Sequence, residues 1–232
     1  MKRIILVVFM VMFLGMFLIP SGEVYAFNEE QLQQLKTTKK CDRCDLSKAN
    51  LEGADLAGAS LKGANLAGAS LKGANLKEAN LASAIMAKVN LKEANLEGAN
   101  LEGAGLGEAK LENANLENAN LLGVFLMQAN LKGANLKGAN LQSANLSNAN
   151  ISKADLSKTT LNAAQMIGAN LTEASLAKAK MRFADLKRAN LEDANLEDAD
   201  LESANLLGAT LEGVKLKGAN LKRATWTDGS KR

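Results

Sequence analysis

From residue 46 to residue 221 a large apolar side chain returns at every fifth position without a slip of register. Thirty-six five-residue units result, each reading Ala, Asn or Asp, Leu and two variable residues, as in Ala49-Asn50-Leu51-Glu52-Gly53. Met86, Ile151, Met166 and Met181 replace the central Leu, and Cys44, Val89, Val124, Thr159 and Val214 replace the Ala two residues before it. A repeat this regular sets the fold ahead of any local propensity.

A period of five suits neither regular element. On a helix, residues five apart rotate by roughly 140° per step and smear around the cylinder. On a flat strand, an odd period sends alternate leucines to opposite faces. Every Leu stays inside only if each unit is a short extended piece followed by a corner, with the chain winding about its own axis. Ala and Leu then point inward together, and the other three residues face out or form the corner. Fourteen of the 19 glycines stand two residues after the Leu, where a turn uses their freedom at positive φ.

The tandem A(N/D)LxG pattern resembles the pentapeptide-repeat proteins. That resemblance spans about 180 residues and implies an all-β fold, a right-handed quadrilateral β-helix with four repeats per coil. About nine coils at a spacing of roughly 4.8 Å would make a rod on the order of 43 Å long. Its stability would be a nearest-neighbour sum along the rod, with the ends most vulnerable. The resemblance implies little about activity, because a fold of this kind does not fix a function.

The flanks differ from the repeats. Residues 1–26 read as a signal peptide: Lys2 and Arg3, an apolar run from Ile4 to Ile19, and a small-residue cleavage site at Val24-Tyr25-Ala26. A retained anchor is the competing reading, although the run is shorter than the ~20 residues that span a bilayer. Cleavage implies a periplasmic or other extracytoplasmic lumen and no stable membrane insertion afterwards. Residues 27–43 hold a predicted capping helix and a CxxC. Asn28 is its N-cap, Glu29 and Glu30 lie in its first turn, Leu32 and Leu35 are its apolar positions, and it ends near Thr37. Such a helix would cover the open edge of the first coil. Exported members of the family resemble this chain here too. Residues 44–226 form the solenoid, with Trp226 in register as a lid, and 227–232 a polar tail.

Cys41-Asp42-Arg43-Cys44 is the one constellation that suggests chemistry. It fits a structural disulfide clipping the first coil, two free thiols filling the core, or a redox or metal centre. A thioredoxin-type motif needs a βαβ context, and zinc needs four ligands. An oxidising compartment favours the disulfide. The chain has no His at all, which removes the commonest general base and the triads built on it. Carboxylates fall at outward positions of a convex rod. The expectation is therefore a non-enzyme without cofactor or metal.

Net charge is +3, near balance for a chain this long. Quinolone-resistance members of the family resemble DNA in shape and negative charge and bind gyrase, so the resemblance offers a DNA-mimicking binder of a topoisomerase as an alternative. Near-neutrality and the leader segment speak against it, as they do against a nucleic-acid partner. Acidic residues gather at Asp185, Glu192, Asp193, Glu197, Asp198, Asp200 and Glu202, and basic ones at Lys62, Lys72, Lys77, Lys88 and Lys92. The rod thus carries a lengthwise charge gradient.

At four repeats per coil, residues twenty apart stack and each side becomes a column. Face 1 holds the central residues from Leu46 and Leu66 to Trp226; faces 2, 3 and 4 begin at Leu51, Leu56 and Leu61. Where the other faces mostly carry Asn or Asp before the Leu, face 1 has Ile85, Gly105, Phe125 and Gln165. After the Leu it has Met127, Ile167 and Leu207, while face 2 has Glu52, Lys72, Lys92 and Glu112. Ile85, Phe125, Met127, Ile167 and Leu207 are the candidate interface for an unknown protein partner or a second copy. Leu122 and Phe183 border it from face 4. Drift on an outward surface is the competing account. The expected molecule is a protein-binding scaffold, monomeric or dimeric through one face.

Overall fold

The computed structural model describes residues 28–232. Its backbone bonds explain the period. Leu46 N–H donates to Asn65 O (2.7 Å), Lys48 N–H to Ala67 O (2.9 Å), and Asn65 N–H back to Cys44 O (2.8 Å). The set recurs along the chain as parallel bridges between residues twenty apart, from Lys40↔Ser60 to Asn205↔Thr225. One circuit therefore takes four repeats, and each repeat pairs with those above and below it.

A turn closes every repeat, as where Ala49 N–H donates to Leu46 O (3.1 Å). The residue two after the central one has positive φ in all thirty-six repeats, including Glu78 (57°), Phe183 (60°) and Lys158 (61°). Glycine fills this corner in only fourteen of them. Elsewhere the winding imposes a left-handed conformation that costs roughly 1 kcal/mol or more per non-Gly residue, offset by ladder bonds and burial. Asn or Asp before the Leu starts the corner: Asn95 Oδ1 accepts from Glu97 N–H (3.2 Å), as Asn75 Oδ1 does from Lys77 N–H (3.3 Å).

The core is a single stack of Ala and Leu layers from Ala49 to Ala209. Thr159 replaces an inward Ala and is fully buried. Its hydroxyl donates to Leu156 O at 2.7 Å, so the buried polar group is satisfied.

Helix α1, Glu29–Thr38, closes the first coil with Leu32 and Leu35 buried beneath it. Asn28 Oδ1 accepts from Gln31 N–H (3.2 Å) at its start. Gln31 Oε1 accepts from Asp45 N–H (2.6 Å), and Gln34 Nε2 donates to Lys40 O (2.9 Å), tying the helix to the coil. The register begins one repeat earlier than the leucine period shows, because Lys40 already bridges Ser60 and Cys41 fills the inward central position. Cysteine at that position hides the first repeat from a count of leucines.

The far end differs from expectation. The tail turns back in an antiparallel bridge, Thr225↔Lys231, Trp226 N–H donates to Ser230 O (2.7 Å), and the Arg232 guanidinium lies 4.8 Å from the Trp226 ring centroid. Trp226 is half-buried, and so are Leu211, Leu216 and Leu221. The lid covers one side of the last coil, because the hairpin that carries it folds back on its own strand. The expected signal peptide, residues 1–26, lies outside the described residues. Among the described residues no helix is long and apolar enough to cross a membrane.

Candidate interaction face

Face 3 shows what an outward column does by default. Asn75, Asn95, Asn115 and Asn135 each donate through Nδ2 to Oδ1 of the residue one coil back, at 3.0, 3.4, 3.2 and 3.0 Å, beginning at Asp55. Each Oδ1 of this Asn series also holds the N–H two residues on. The column is a ladder of amides that fixes the corners and staples coil to coil.

Face 1 starts the same way, with Asn65 Nδ2 donating to Asp45 Oδ1 (3.0 Å), and then abandons the ladder. Ile85, Gly105 and Phe125 follow in consecutive coils. Ile85 is 55% exposed, Phe125 55%, Met127 46%, Ile167 36% and Leu207 44%. The remaining large exposed apolar residue, Phe183 at 63%, stands at the corner where face 4 turns into face 1. Leu122, the other bordering residue expected, is half-buried. Six exposed apolar side chains thus gather on face 1 and its edge. The backbone is unaffected: Phe125 N–H still donates to Ala104 O (3.0 Å) and Leu106 N–H to Phe125 O (2.7 Å).

Gly105 was visible as a departure from the consensus, but its effect, together with that of Gly107, emerges only in three dimensions. A Cβ on Gly105 would meet nothing within 4 Å, and one on Gly107 only Met127 O at 3.9 Å. Between the Ile85 coil and the Phe125 coil, face 1 is bare backbone. A hollow one coil high therefore sits beside two bulky side chains.

The charged columns look inward to each other. Lys77–Glu97 (3.1 Å), Lys92–Glu112 (2.8 Å), Lys153–Glu173 (3.4 Å) and Arg182–Glu202 (2.5 Å) all join residues twenty apart. Each exposed pair contributes ~0–1 kcal/mol, and each links neighbouring coils of one column. Of the residues flanking the central position on face 1, Asp185 and Lys187 pair with each other at 3.0 Å.

A profile of the pentapeptide repeats family matches in eight copies, at residues 40–77, 74–113, 109–148, 126–162, 154–193 and 194–225 among them. This chain is a pentapeptide-repeat protein. Proteins of the family fold as right-handed β-helices, in keeping with the parallel bridges and the single short helix found among the described residues. Among solved structures it is similar to HetL, a pentapeptide repeat protein involved in heterocyst differentiation regulation from the cyanobacterium Nostoc sp. strain PCC 7120. The two are 36% identical over 90% of this chain and 100% of HetL, with a TM-score of 0.46. It is also similar to a pentapeptide repeat protein of the Arabidopsis thaliana thylakoid lumen (30% identity, 41% of this chain and 70% of that one, TM-score 0.27). The fluoroquinolone resistance protein QnrB1 shares 18% identity over 69% of this chain and 86% of its own, with a TM-score of 0.39. No curated protein matches significantly.

The cysteines of this pentapeptide-repeat protein lie in the core of the first coil, under α1. Cys41 and Cys44 are buried, their sulfurs 2.09 Å apart at disulfide distance. Cys44 N–H donates to Cys41 O (3.3 Å), so the pair occupies the turn that elsewhere joins an inward Leu to the next inward Ala. Both members of a CxxC placed in this register face the core, and that is why two such residues meet. Among the described residues no group of three or more His, Cys, Asp or Glu is arranged to hold a metal ion.

Proposed function

We propose that this pentapeptide-repeat protein is a non-enzymatic, exported protein-binding scaffold, four-sided with nine coils, that associates through face 1. The twenty-residue register supports the four-sided section. The apolar run from Ile4 to Ile19 with its basic start supports export to a periplasm or comparable lumen.

The observation that carries the interface is the concentration of exposed apolar side chains on face 1. At these outward positions Ile, Phe, Met and Leu gain nothing from the core, while elsewhere the position of Ile85 and Phe125 mostly holds amides that stabilise the fold and that of Met127, Ile167 and Leu207 mostly charged or small residues. An apolar strip rimmed by charged columns is the signature of a contact surface. Buried together, such side chains contribute roughly 1 to 3 kcal/mol each before association costs are subtracted. Lys or Arg interrupts each outward column that carries three or more acids, which leaves no continuous anionic stripe of the kind a DNA mimic uses.

The test compares Phe125→Asp on face 1 with Asn115→Asp on face 3. Phe125→Asp should abolish association, whether with itself or with proteins of its own compartment, and leave the thermal midpoint almost unchanged. Asn115→Asp should leave association intact. Equal binding by the two variants returns face 1 to surface drift. Export is checked separately, by the N-terminal residue of protein recovered outside the cytoplasm: processing near Ala26 is expected, and an intact Met1 in cytoplasmic protein contradicts it.

A further inference from the structure

We propose that face 1 seats face 1 of a second copy of this chain, antiparallel, about a two-fold axis that crosses the face midway between the Gly105–Gly107 coil and the Phe125–Met127 coil. The inference rests on the reading of face 1 as an association surface and names its occupant.

The relief of the face carries it. Gly105 and Phe125 stand at the same repeat position one coil apart, as do Gly107 and Met127. Phe125 and Met127 project, and the glycines leave bare backbone next to them. The spacing is one coil, about 4.8 Å. Hollow and bulge therefore adjoin in both columns with the same step. An axis lying in the contact plane and perpendicular to the rod keeps each column facing its own counterpart and reverses the order of coils. Placed midway between the two coils, it sets Phe125 over Gly105 of the second copy and Met127 over Gly107, twice each. This is the self-complementarity that a two-fold interface requires.

The remaining registers of that arrangement are compatible. Ile85 faces Asn145, Ala87 faces Ser147, Asn65 faces Gln165 and Ile167 faces Ala67, so no two apolar bulges collide, and Leu207 lies beyond the overlap. Asp45 faces Asp185, whose carboxylate is already paired with Lys187 at 3.0 Å. A parallel two-fold fails the same test. It would set Phe125 against Met127 on one coil and leave the two glycines facing each other across a void on the next.

Eight coils overlap, about 38 Å of rod, in a strip about 10 Å wide. The strip buries roughly 300 to 400 Å² per copy, below the ~800 Å² of a standard stable interface. The dimer is accordingly weak and concentration-dependent.

Gly105 permits a decisive variant. It lies outside the positive-φ positions and an added side chain meets open space, so Gly105→Leu folds normally and makes face 1 more apolar. It also fills the hollow. Protein expressed from the full sequence is examined by sedimentation equilibrium from about 1 μM to 1 mM, with circular dichroism to verify folding. The wild type should pass from monomer to dimer across this range. Phe125→Asp and Gly105→Leu should each weaken dimerisation by at least ~30-fold, and Asn115→Asp should change it less than ~3-fold. A dimer that tolerates or gains from Gly105→Leu overturns the inference, even if Phe125→Asp breaks it, since a merely sticky strip would behave that way. Monomers at every concentration also overturn it. If Phe125→Asp nevertheless abolishes capture of some other protein, the reading of face 1 survives without the second copy. A dimer insensitive to Phe125→Asp overturns both.

Discussion

Asn115 and Phe125 occupy the same position of the repeat, ten residues apart on opposite sides of the rod, and their backbones are indistinguishable. Each N–H donates to the inward Ala one coil back, at 2.9 and 3.0 Å, and each carbonyl accepts from the next central Leu back along the ladder, at 2.6 and 2.7 Å. Only the side chains differ. Asn115 makes three hydrogen bonds, to Asn95 Oδ1, Asn135 Nδ2 and the Glu117 N–H, at 3.2, 3.0 and 3.2 Å. Phe125 stands 55% exposed. The solenoid thus takes its shape from the backbone ladder and the inward Ala and Leu. Outward side chains add stability where they form the amide ladder, and where they do not they are available for something else.

The strongest challenge to this division is a charge placed inward. Leu136 lies in the dry core under face 3, 1% exposed. Leu136→Asp should cost more than ~4 kcal/mol in chemical denaturation, against under ~0.5 kcal/mol for Phe125→Asp. Comparable losses would mean that Phe125 packs into the solenoid and that the two sides are not different in kind.

Glycines separate the two sides next. Gly133 sits at a corner with φ +69°, and a Cβ there would lie 2.5 Å from Asn113 Oδ1. Asn113, Asn118, Asn148, Asp193 and Asp198, the Asn and Asp residues at the corners of the repeats, all have glycine twenty residues on. Gly133→Ala should cost about 2 kcal/mol, and Gly105→Ala on face 1 less than ~0.5 kcal/mol. A lower midpoint for the second variant than for the first would undo the assignment of Gly105 to an open hollow.

Smaller still is the amide ladder itself. Asn115→Ala removes one rung and should cost about 1 kcal/mol, whereas Phe125→Asn on face 1 should leave stability equal or slightly raised. If restoring Asn at residue 125 destabilised the protein, the apolar side chain there would have a structural role after all.

The smallest effect is at the head of the face 3 column. The Lys39 ammonium donates to Asp55 at 2.9 Å and, with the Ala57 N–H, the charge of Lys39 and the Asn75 amide, holds the Asp55 carboxyl below the usual carboxylate range. A carboxylate depressed in the folded state stabilises it above its unfolded value of ~3.9, and that contribution is lost as pH falls through the folded value. The end of α1 should therefore loosen only in acid, with no change between pH 6 and 8. Amide exchange at Lys39 to Cys41 reports it, and identical acid profiles for wild type and Lys39→Ala would sink the claim.

Much of the solenoid was readable in advance because its period contradicts both helix and strand, leaving one way to bury every Leu. The apolar residues of face 1 were readable for a related reason, since an unbroken register turns a linear sequence into columns. Other features were not. Cysteine at the first inward position concealed the repeat at Lys40–Cys41. Glycine marked the corners but not their generality, because nothing local announces that Lys158 or Phe183 must be left-handed. Trp226 has the size of a lid, yet its partner turned out to be Arg232, and the far layer of leucines stays half-buried. The hollow at Gly105 and Gly107 acquires meaning only beside Phe125 and Met127, a relation across twenty residues.

Ala87, Gly107 and Met127 on face 1 lack the Asn or Asp acceptor that Lys77, Glu97 and Glu117 have on face 3, where the distances are 3.3, 3.2 and 3.2 Å. Residue-resolved amide exchange of these six groups, at low and high protein concentration, addresses directly whether one side serves the fold and the other serves association. In dilute solution the face 1 trio should exchange at least ~10-fold faster than the face 3 trio, and high concentration should slow the face 1 trio alone. Equal exchange on the two faces, or slowing confined to face 3, would contradict the account.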